Sequence, residues 1–181
     1  MQVHETTLAG ARLIEPRVFG DERGFFFESW NAQAFADAGL DLNFVQDNHS
    51  RSAKGVLRGM HLQVDKPQGK LVRVTAGAVY DVIVALRRSS PTFGQWEGFE
   101  LSAANRRMLW APPGFAHGFI TREDGTEFLY KCTEFYLPAL ERSLAWDDPT
   151  LAIAWPDVGV PPALSAKDAV GLALADVETY P

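Results

Sequence analysis

Short apolar stretches separated by glycine residues recur along most of the chain. They predict strands at Val3–Leu8, Arg12–Phe19, Phe44–Ser50, Val56–Val64, Leu71–Thr75, Ala78–Leu86, Glu97–Leu101, Met108–Ala111, Ala116–Thr121 and Glu127–Phe135. The intervening turns contain Gly55, Gly69, Gly77, Gly94, Gly114 and Gly125. Many short strands joined by glycine or proline turns are typical of β-sandwiches and β-barrels. The pattern therefore predicts an all-β fold.

One segment, Asn31–Ala38, carries a helical pattern instead. Alanine is frequent there, Asn31 is suited to cap the first turn, and Gly39 stands where a C-terminal cap is expected. The tail after Pro138 is rich in Pro and Ala, and we expect it to wrap the β core and to add a short helix near Ala166–Gly171. Because no repeat, low-complexity stretch or linker interrupts the chain, residues 1–181 are expected to form one domain.

Three consecutive aromatic residues, Phe25, Phe26 and Phe27, follow the turn signal Gly20-Asp21. Side chains alternate between the two faces of a strand, so all three cannot face the core of a one-sided strand. At least one of them is expected to pack against another sheet or another subunit.

Composition narrows the class of protein. The net charge of −6 argues against a nucleic-acid binder, because Lys and Arg are not in excess. Cys132 is the only cysteine, so no intrachain disulfide can form and a reducing compartment is indicated. The start of the chain has no signal-peptide pattern, and the longest apolar run, Ala78–Leu86, is short and contains Asp81. We expect a cytoplasmic protein that binds neither membranes nor nucleic acid.

The stretch Leu57–Gln63 places Arg58 and His61 close together in an apolar strand. A guanidinium binds phosphate or carboxylate, and an imidazole exchanges protons near neutral pH. Three residues apart, the two side chains should point to opposite faces, unless a bulge at Gly59 turns them to the same one. Otherwise Arg58 would serve another part of the ligand or a neighbouring subunit. Elsewhere in the chain, candidate anion contacts are Arg23, Lys70 and Lys167, and candidate proton-transfer partners are Tyr130 and Asp168.

Three interpretations of His61 compete. It can be a structural histidine bonded to the backbone, a metal ligand, or a general acid–base residue. A His-x-His pair is common in metal-binding small β-barrels, but here Gln63 takes the second position, and an amide is a poor transition-metal ligand. The residues therefore argue against a metal. Similarly, Tyr130 is either a barrel-filling aromatic or a phenolic proton donor, which must be held close and in register because its free pKa is about 10.

Several motifs together resemble one family. They are Asp21–Phe26, Phe44–Ser50, Leu57–His61, Leu86–Gly94, Pro113–Phe119, Tyr130-Lys131 and Trp146–Pro149. In this order, between about Ile14 and Asp168, they resemble the dTDP-4-dehydrorhamnose 3,5-epimerases. The resemblance implies a metal-free, cofactor-free cupin with a β jelly roll, acting as a homodimer with an exchanged N-terminal segment. It also implies inversion of C3 and C5 of dTDP-4-dehydro-6-deoxy-D-glucose to give dTDP-4-dehydro-L-rhamnose, in dTDP-rhamnose biosynthesis.

The resemblance also implies roles for individual residues. His61 matches the base, Asp168 the carboxylate that orients it, Tyr130 the acid on the far face and Lys70 the cation that stabilises the enolate. The positions that match contacts to the nucleotide-sugar, some of them in the partner subunit's pocket, are Arg23, Glu28, Gln46, Asp47, Asn48, Arg58, His117, Tyr136, Glu141 and Lys167. Among these, Tyr136 matches an aromatic that stacks on the thymine.

Two departures from the family pattern keep alternatives open. Leu62 stands where the family usually has Tyr, and Ala85 where it usually has Asp. The loss of a carboxylate at Ala85 puts the rate and the two-centre outcome in question. The alternatives are an epimerase that inverts only one carbon of a related dTDP-4-keto-6-deoxy sugar, and a non-catalytic cupin that binds sugar nucleotides.

Overall fold

A computed structural model describes residues 1–181, and its secondary structure is almost entirely strand. The strands are β1 (Gln2–Glu5), β2 (Arg12–Glu15), β3 (Phe19–Asp21), β4 (Gly24–Phe26), β5 (Gln46–Ser52), β6 (Leu57–Gln63), β7 (Lys70–Ala76), β8 (Ala78–Ala85), β9 (Trp96–Ser102), β10 (Met108–Ala111), β11 (Phe115–Thr121), β12 (Thr126–Cys132) and β13 (Glu141–Ser143). One α-helix, α1, spans Ala32–Asp37, and 3₁₀ turns span Pro138–Leu140 and Asp168–Val170. None of the helices is long and apolar enough to cross a lipid bilayer.

Two antiparallel sheets make up the body of the protein. One has six strands in the order β1-β2-β10-β7-β12-β5, the other has five in the order β13-β6-β11-β8-β9, and β3 and β4 form a separate hairpin. The main core draws side chains from both sheets, among them Val72 of β7, Ile83 of β8 and Phe119 of β11. The sheets therefore pack face to face around a shared apolar interior, and the predicted all-β jelly-roll fold is confirmed.

Each sheet is also covered on its outer face. Helix α1 places Phe35 against Met108 and Trp110 on the outside of the six-stranded sheet. The C-terminal tail places Leu151 and Val177 against the outside of the five-stranded sheet, as the tail's composition predicted. Strand β8 is consequently buried on both faces, which explains its nearly continuous apolar sequence.

The predicted helix is confirmed, with Asn31 capping it through its side-chain oxygen, which accepts from the Ala34 amide at 3.1 Å. Gly39 follows with a φ of +83°, a conformation that glycine adopts without strain. The predicted strand at Glu127–Phe135 ends earlier, at Cys132, because residues 133–137 leave the sheet as a loop. The short strands β3, β4 and β13 were not predicted, since three exposed or half-buried residues carry little periodic signal.

Candidate active site

A cavity of about 460 Å³ opens between the two sheets. Eleven of the fourteen residues implicated by the sequence line it. They are Gln46, Asn48, Arg58, His61, Lys70, His117, Tyr130, Tyr136, Glu141, Lys167 and Asp168. These residues come from β5, β6, β7, β11, β12 and β13, from the loop after β12 and from the tail. Most of the predicted site is therefore assembled in one place within a single chain.

Strand β6 is bulged at Gly59, the position at which the sequence suggested a bulge. On β11, His117 and Phe119 are two residues apart, yet their partners on β6 are His61 and Arg58, three residues apart. The extra residue lies at Gly59, which has a φ of +120°. A Cβ at this position would lie 2.6 Å from the Gly118 Cα, so only glycine fits. The bulge brings Arg58 and His61 onto the face that lines the cavity, as predicted.

His61 is tied to Asp168, which lies 107 residues later in the chain. The imidazole Nε2 is 2.6 Å from the Asp168 Oδ1. Two further donors bind this carboxylate, the Ser165 hydroxyl at 2.7 Å and the Gly59 amide at 3.3 Å. Burial opposes ionisation of Asp168, but the hydrogen bonds from His61, Ser165 and Gly59 outweigh it and lower the pKa to about 2.

The ionised state of Asp168 determines which nitrogen of His61 is free. A carboxylate only accepts hydrogen bonds, so Nε2 of His61 carries the proton that bonds to it. The other nitrogen, Nδ1, is left as the basic atom, 4.0 Å from the Glu141 Oε1. A neutral imidazole held in this tautomer can remove a proton from a bound molecule.

Tyr130 and Lys70 line the opposite wall. Both belong to the six-stranded sheet, on β12 and β7, whereas His61 belongs to the five-stranded sheet. Neither the phenol of Tyr130 nor the ammonium of Lys70 has a hydrogen-bond or ion-pair partner within the protein. The imidazole and the phenol therefore lie on opposite sides of one cavity. The ammonium of Lys70 lies on the same side as the phenol.

Burial changes the proton affinity of both groups on that wall. It raises the pKa of Tyr130 to about 12, with Cys132 and Glu141 adding to the effect. The raised pKa favours the protonated phenol, which can donate a proton. Burial lowers the pKa of Lys70, and Cys132, Glu141 and Asp81 act in the opposite direction.

Arg58 presents a guanidinium that has no carboxylate partner. Its Nε and Nη2 both donate to the Ser52 hydroxyl, at 3.2 and 3.1 Å, which orients the planar group while leaving its remaining donors free. Arg58 and Lys70 are thus two cationic groups without an acidic partner in the cavity. Such groups suit an anionic ligand such as a diphosphate.

His117 is held by a carboxylate that the sequence did not single out as a site residue. The Nε2 of His117 lies 3.1 and 2.9 Å from the two oxygens of Asp81, within hydrogen-bond distance, and both residues are buried. Burial raises the pKa of Asp81, and the neighbouring His117 and Lys70 oppose the rise. A charged residue inside an otherwise apolar strand was the signal that could have identified it.

The mouth of the cavity carries a three-residue cluster. Glu141 accepts from Lys167 at 2.8 Å and from the Tyr136 hydroxyl at 2.9 Å. Burial would raise the pKa of Glu141, but the bonds from Lys167 and Tyr136 and the nearby His61 lower it overall. Tyr136 itself is 44% exposed, so its ring is available to a flat partner.

Three predicted residues are not in this cavity. Asp47 points to the other side of β5, where its carboxylate pairs with Lys131 at 2.9 Å. Arg23 lies on the β3–β4 hairpin and pairs with Asp21, and Glu28 is exposed and accepts from Asn31 at 3.0 Å. None of the three lines the cavity of its own chain.

The two departures from the family pattern fall outside the cavity. Leu62 is buried beneath the C-terminal tail, on the outer face of its sheet, and Ala85 is buried in the core between the sheets. Neither residue lines the cavity. No group of three or more His, Cys, Asp or Glu side chains is placed to hold a metal ion.

Comparison with known proteins identifies the family of the chain. The profile of the dTDP-4-dehydrorhamnose 3,5-epimerase family matches residues 5–176. The dTDP-4-dehydrorhamnose 3,5-epimerase of Pseudomonas aeruginosa is 59% identical over 170 residues, which is 93% of each chain. The crystal structure of the Legionella pneumophila dTDP-6-deoxy-D-glucose-3,5-epimerase in complex with dTDP-4-keto-L-rhamnose superposes with a TM-score of 0.94, at 49% identity over 98% of this chain and 94% of that one.

A structural relative with a narrower activity is also found. It is a 3′-monoepimerase from Streptomyces bikiniensis in complex with dTDP-quinovose, with a TM-score of 0.89 and 35% identity over 95% of this chain and 87% of that one. The identity to the Pseudomonas 3,5-epimerase is much higher. From the match over residues 5–176 and the 59% identity to a relative of nearly the same length, the chain belongs to the dTDP-4-dehydrorhamnose 3,5-epimerase family.

Proposed function

We propose that this epimerase inverts C3 and C5 of dTDP-4-dehydro-6-deoxy-D-glucose, with His61 as the base and Tyr130 as the acid. The observation that carries the proposal is the placement of the two groups on opposite walls of one cavity. Inversion of a carbon requires that its proton leave on one face and return on the other. A base and an acid on facing sheets satisfy that requirement.

The chemistry explains the other residues. A hydrogen beside a ketone is weakly acidic, and its removal leaves an enolate whose oxygen carries negative charge. Lys70, with no acidic partner of its own, is suited to stabilise that oxygen. Asp168 keeps His61 in the tautomer whose Nδ1 accepts the proton, and it stabilises the imidazolium that forms. Tyr130 then donates its phenolic proton to the opposite face.

The nucleotide half of the substrate has its own contacts. Arg58 is suited to the diphosphate, and the exposed ring of Tyr136 to the thymine. Gln46 and Asn48 line the same side of β5, and the Glu141–Lys167 pair lies at the mouth. These contacts are similar in the ground state and the transition state, so they are expected to lower KM more than they raise kcat.

Reaction in heavy water tests how many carbons are inverted. Each carbon that loses its proton to His61 regains one derived from solvent, so the product should carry deuterium at both C3 and C5. The positions can be read by NMR of the purified product. Deuterium at one carbon only would overturn the two-centre assignment.

That single-label outcome would favour the second candidate, a one-centre epimerase. Two observations support it as an alternative. The 3′-monoepimerase shares the fold closely, and Ala85 stands where the family usually has a carboxylate. Against it, Ala85 is buried in the core and does not line the cavity.

We further propose that the enzyme is a homodimer in which the β3–β4 hairpin of each chain reaches the cavity of the other. The hairpin exposes three large aromatic side chains, Phe19 at 51%, Phe25 at 59% and Phe26 at 66%. A cluster of this kind favours a protein–protein contact. Arg23, at the turn of the hairpin, and Glu28 would then contribute to the partner's site, which accounts for their distance from the cavity of their own chain.

A mixing experiment tests the exchange. We expect Arg23→Ala and His61→Asn homodimers each to be impaired, because each lacks one group in both sites. In a mixed dimer, the Arg23→Ala chain keeps His61 in its cavity. That cavity receives the intact hairpin of the His61→Asn chain. After random reassociation, half of the dimers are mixed and each has one complete site, so about a quarter of wild-type activity should return. If Arg23 serves its own chain, mixing will restore nothing.

We place the enzyme in the cytoplasm. The buried thiol of Cys132 is the single cysteine of the chain and has no partner for a disulfide, which suits a reducing compartment.

A further inference from the structure

The loop after β12, residues 133–137, carries Tyr136 at the mouth of the cavity and is held in an unusual way. It follows the last sheet residue, Cys132, and its three central residues make no backbone–backbone hydrogen bonds. Backbone groups that leave a sheet need other partners or water. Here the partners are side chains.

Three glutamine side chains supply most of them. Gln68 donates to the Glu134 carbonyl at 2.9 Å, and Gln46 accepts from the Tyr136 amide at 2.9 Å. Gln63 makes two contacts to the loop, donating to the Phe135 carbonyl at 3.0 Å and accepting from the Leu137 amide at 2.8 Å. Gln63 therefore binds the backbone on both sides of Tyr136.

Gln63 is also the glutamine that is least able to move. Its residue is 4% exposed, and its second N–H donates to the Lys66 carbonyl at 2.6 Å. Both of its N–H groups and its side-chain oxygen are thus in use. Its own carbonyl accepts from the Tyr180 hydroxyl at 2.8 Å, which ties β6 to the C-terminal tail.

The position of Gln63 links the strand that carries His61 to the loop that carries Tyr136. It lies two residues after His61 on β6, so its side chain is on the same face of the strand as the imidazole. Across the sheet it pairs with Glu141, whose carboxylate accepts from the Tyr136 hydroxyl. One amide therefore connects the strand that bears the base to the loop that bears the exposed aromatic.

We propose that Gln63 is a positioning residue, which fixes the Tyr136 loop relative to His61 and so sets the affinity for the nucleotide part of the substrate. In metal-binding barrels the second residue of a His-x-His pair is a metal ligand. Here the residue at that position, Gln63, instead binds the backbone of the Tyr136 loop. This inference rests on the proposed function, because it assigns the Tyr136 ring to the nucleotide.

The first test is Gln63→Met, which keeps the size and removes the hydrogen bonds. We expect the Kd for dTDP, measured by calorimetry, and the KM for the sugar nucleotide both to rise about tenfold, with kcat within about threefold of wild type. In a Tyr136→Ala background the same substitution should have no further effect on the dTDP Kd, because the two residues act as one unit.

A second variant, Gln63→Glu, distinguishes the loss of the loop contacts from a folding defect. The carboxyl introduced by Gln63→Glu, buried against two carbonyl oxygens, would have a raised pKa. Its neutral form can donate to the Phe135 carbonyl of the loop and accept from the Leu137 amide, so dTDP affinity should recover as the pH is lowered from 8 to 5. Wild type, measured in parallel, corrects for other titrating groups. Tyr180→Phe is the matched control, since it removes a bond to the Gln63 backbone and leaves the amide intact; its dTDP affinity should not change.

The outcomes separate the two proposals. If wild type neither binds dTDP nor turns over the sugar nucleotide, the proposed function fails. If wild type does both and the Gln63 variants bind dTDP equally well, the positioning role is wrong. Equal losses in kcat and affinity, additivity with Tyr136→Ala, or failure of both Gln63 variants to fold at every pH would also overturn it, because the amide would then be a general structural requirement.

Discussion

Replacement of His61 by Asn is expected to lower turnover by on the order of 10⁴-fold and to leave the dTDP affinity nearly unchanged. The amide has no basic nitrogen, so the group assigned to remove the proton beside the ketone would be lost. The groups assigned to the nucleotide, Arg58 and Tyr136, are separate side chains that the substitution leaves in place. Turnover can be followed by NMR of the sugar nucleotide, and dTDP affinity by calorimetry.

His4→Asn is the matched control, because His4 lies on the edge strand β1, 3.6 Å from Glu15, and does not line the cavity. It should behave as wild type in both measurements. In heavy water, His61→Asn should also incorporate no deuterium into the recovered substrate, since proton removal is the step that it lacks. Wild-type turnover in this variant would remove His61 from the mechanism.

The sequence predicted the body of the fold well because its strands are short, apolar and separated by glycine. Met108–Ala111 was predicted with its observed bounds. The misses have a common physical cause, which is that the burial of a segment depends on distant parts of the chain. The β3–β4 hairpin exposes its aromatic residues in the isolated chain, and β13 exists only because it pairs with β6.

The site was predictable in part. Arg58, Gly59 and His61 are neighbours in the chain, so strand parity suggested a bulge at Gly59 as one of two alternatives, and the structure contains the bulge. Asp168 could be linked to His61 only through the family resemblance, since 107 residues separate them.

The residues that sequence reasoning missed act on other site residues. Asp81 bonds to His117, Ser165 to Asp168 and Ser52 to Arg58. Asp81 and Ser52 lie on different strands from the residues to which they bond. Asp81 stands out in the sequence as a charge in an apolar strand, but its partner does not. Ser165 lies three residues before Asp168, and only the structure shows that the two side chains meet. Candidate acids, bases and cations can therefore be named from their chemistry, whereas the groups that hold them require coordinates.

Tyr130→Phe should separate the two halves of the reaction. Inversion is expected to fall by about 10²- to 10⁴-fold, because the proton donor on the six-stranded sheet is lost. Proton removal by His61 should continue, since His61, Asp168 and Lys70 are untouched. In heavy water the base would return deuterium to the face from which it took the proton, so the recovered substrate should be labelled with its configuration retained. NMR and mass spectrometry of the recovered substrate measure both quantities.

This pattern differs from that of His61→Asn, which should show neither exchange nor inversion. Tyr80→Phe is a suitable control, because Tyr80 is a partly buried phenol on the outer face of β8, away from the cavity, and both rates should equal those of wild type. If Tyr130→Phe loses exchange and inversion to the same extent, the phenol is needed for proton removal itself. The assignment of proton removal to His61 and proton donation to Tyr130 would then be wrong, although both groups would still belong to the site.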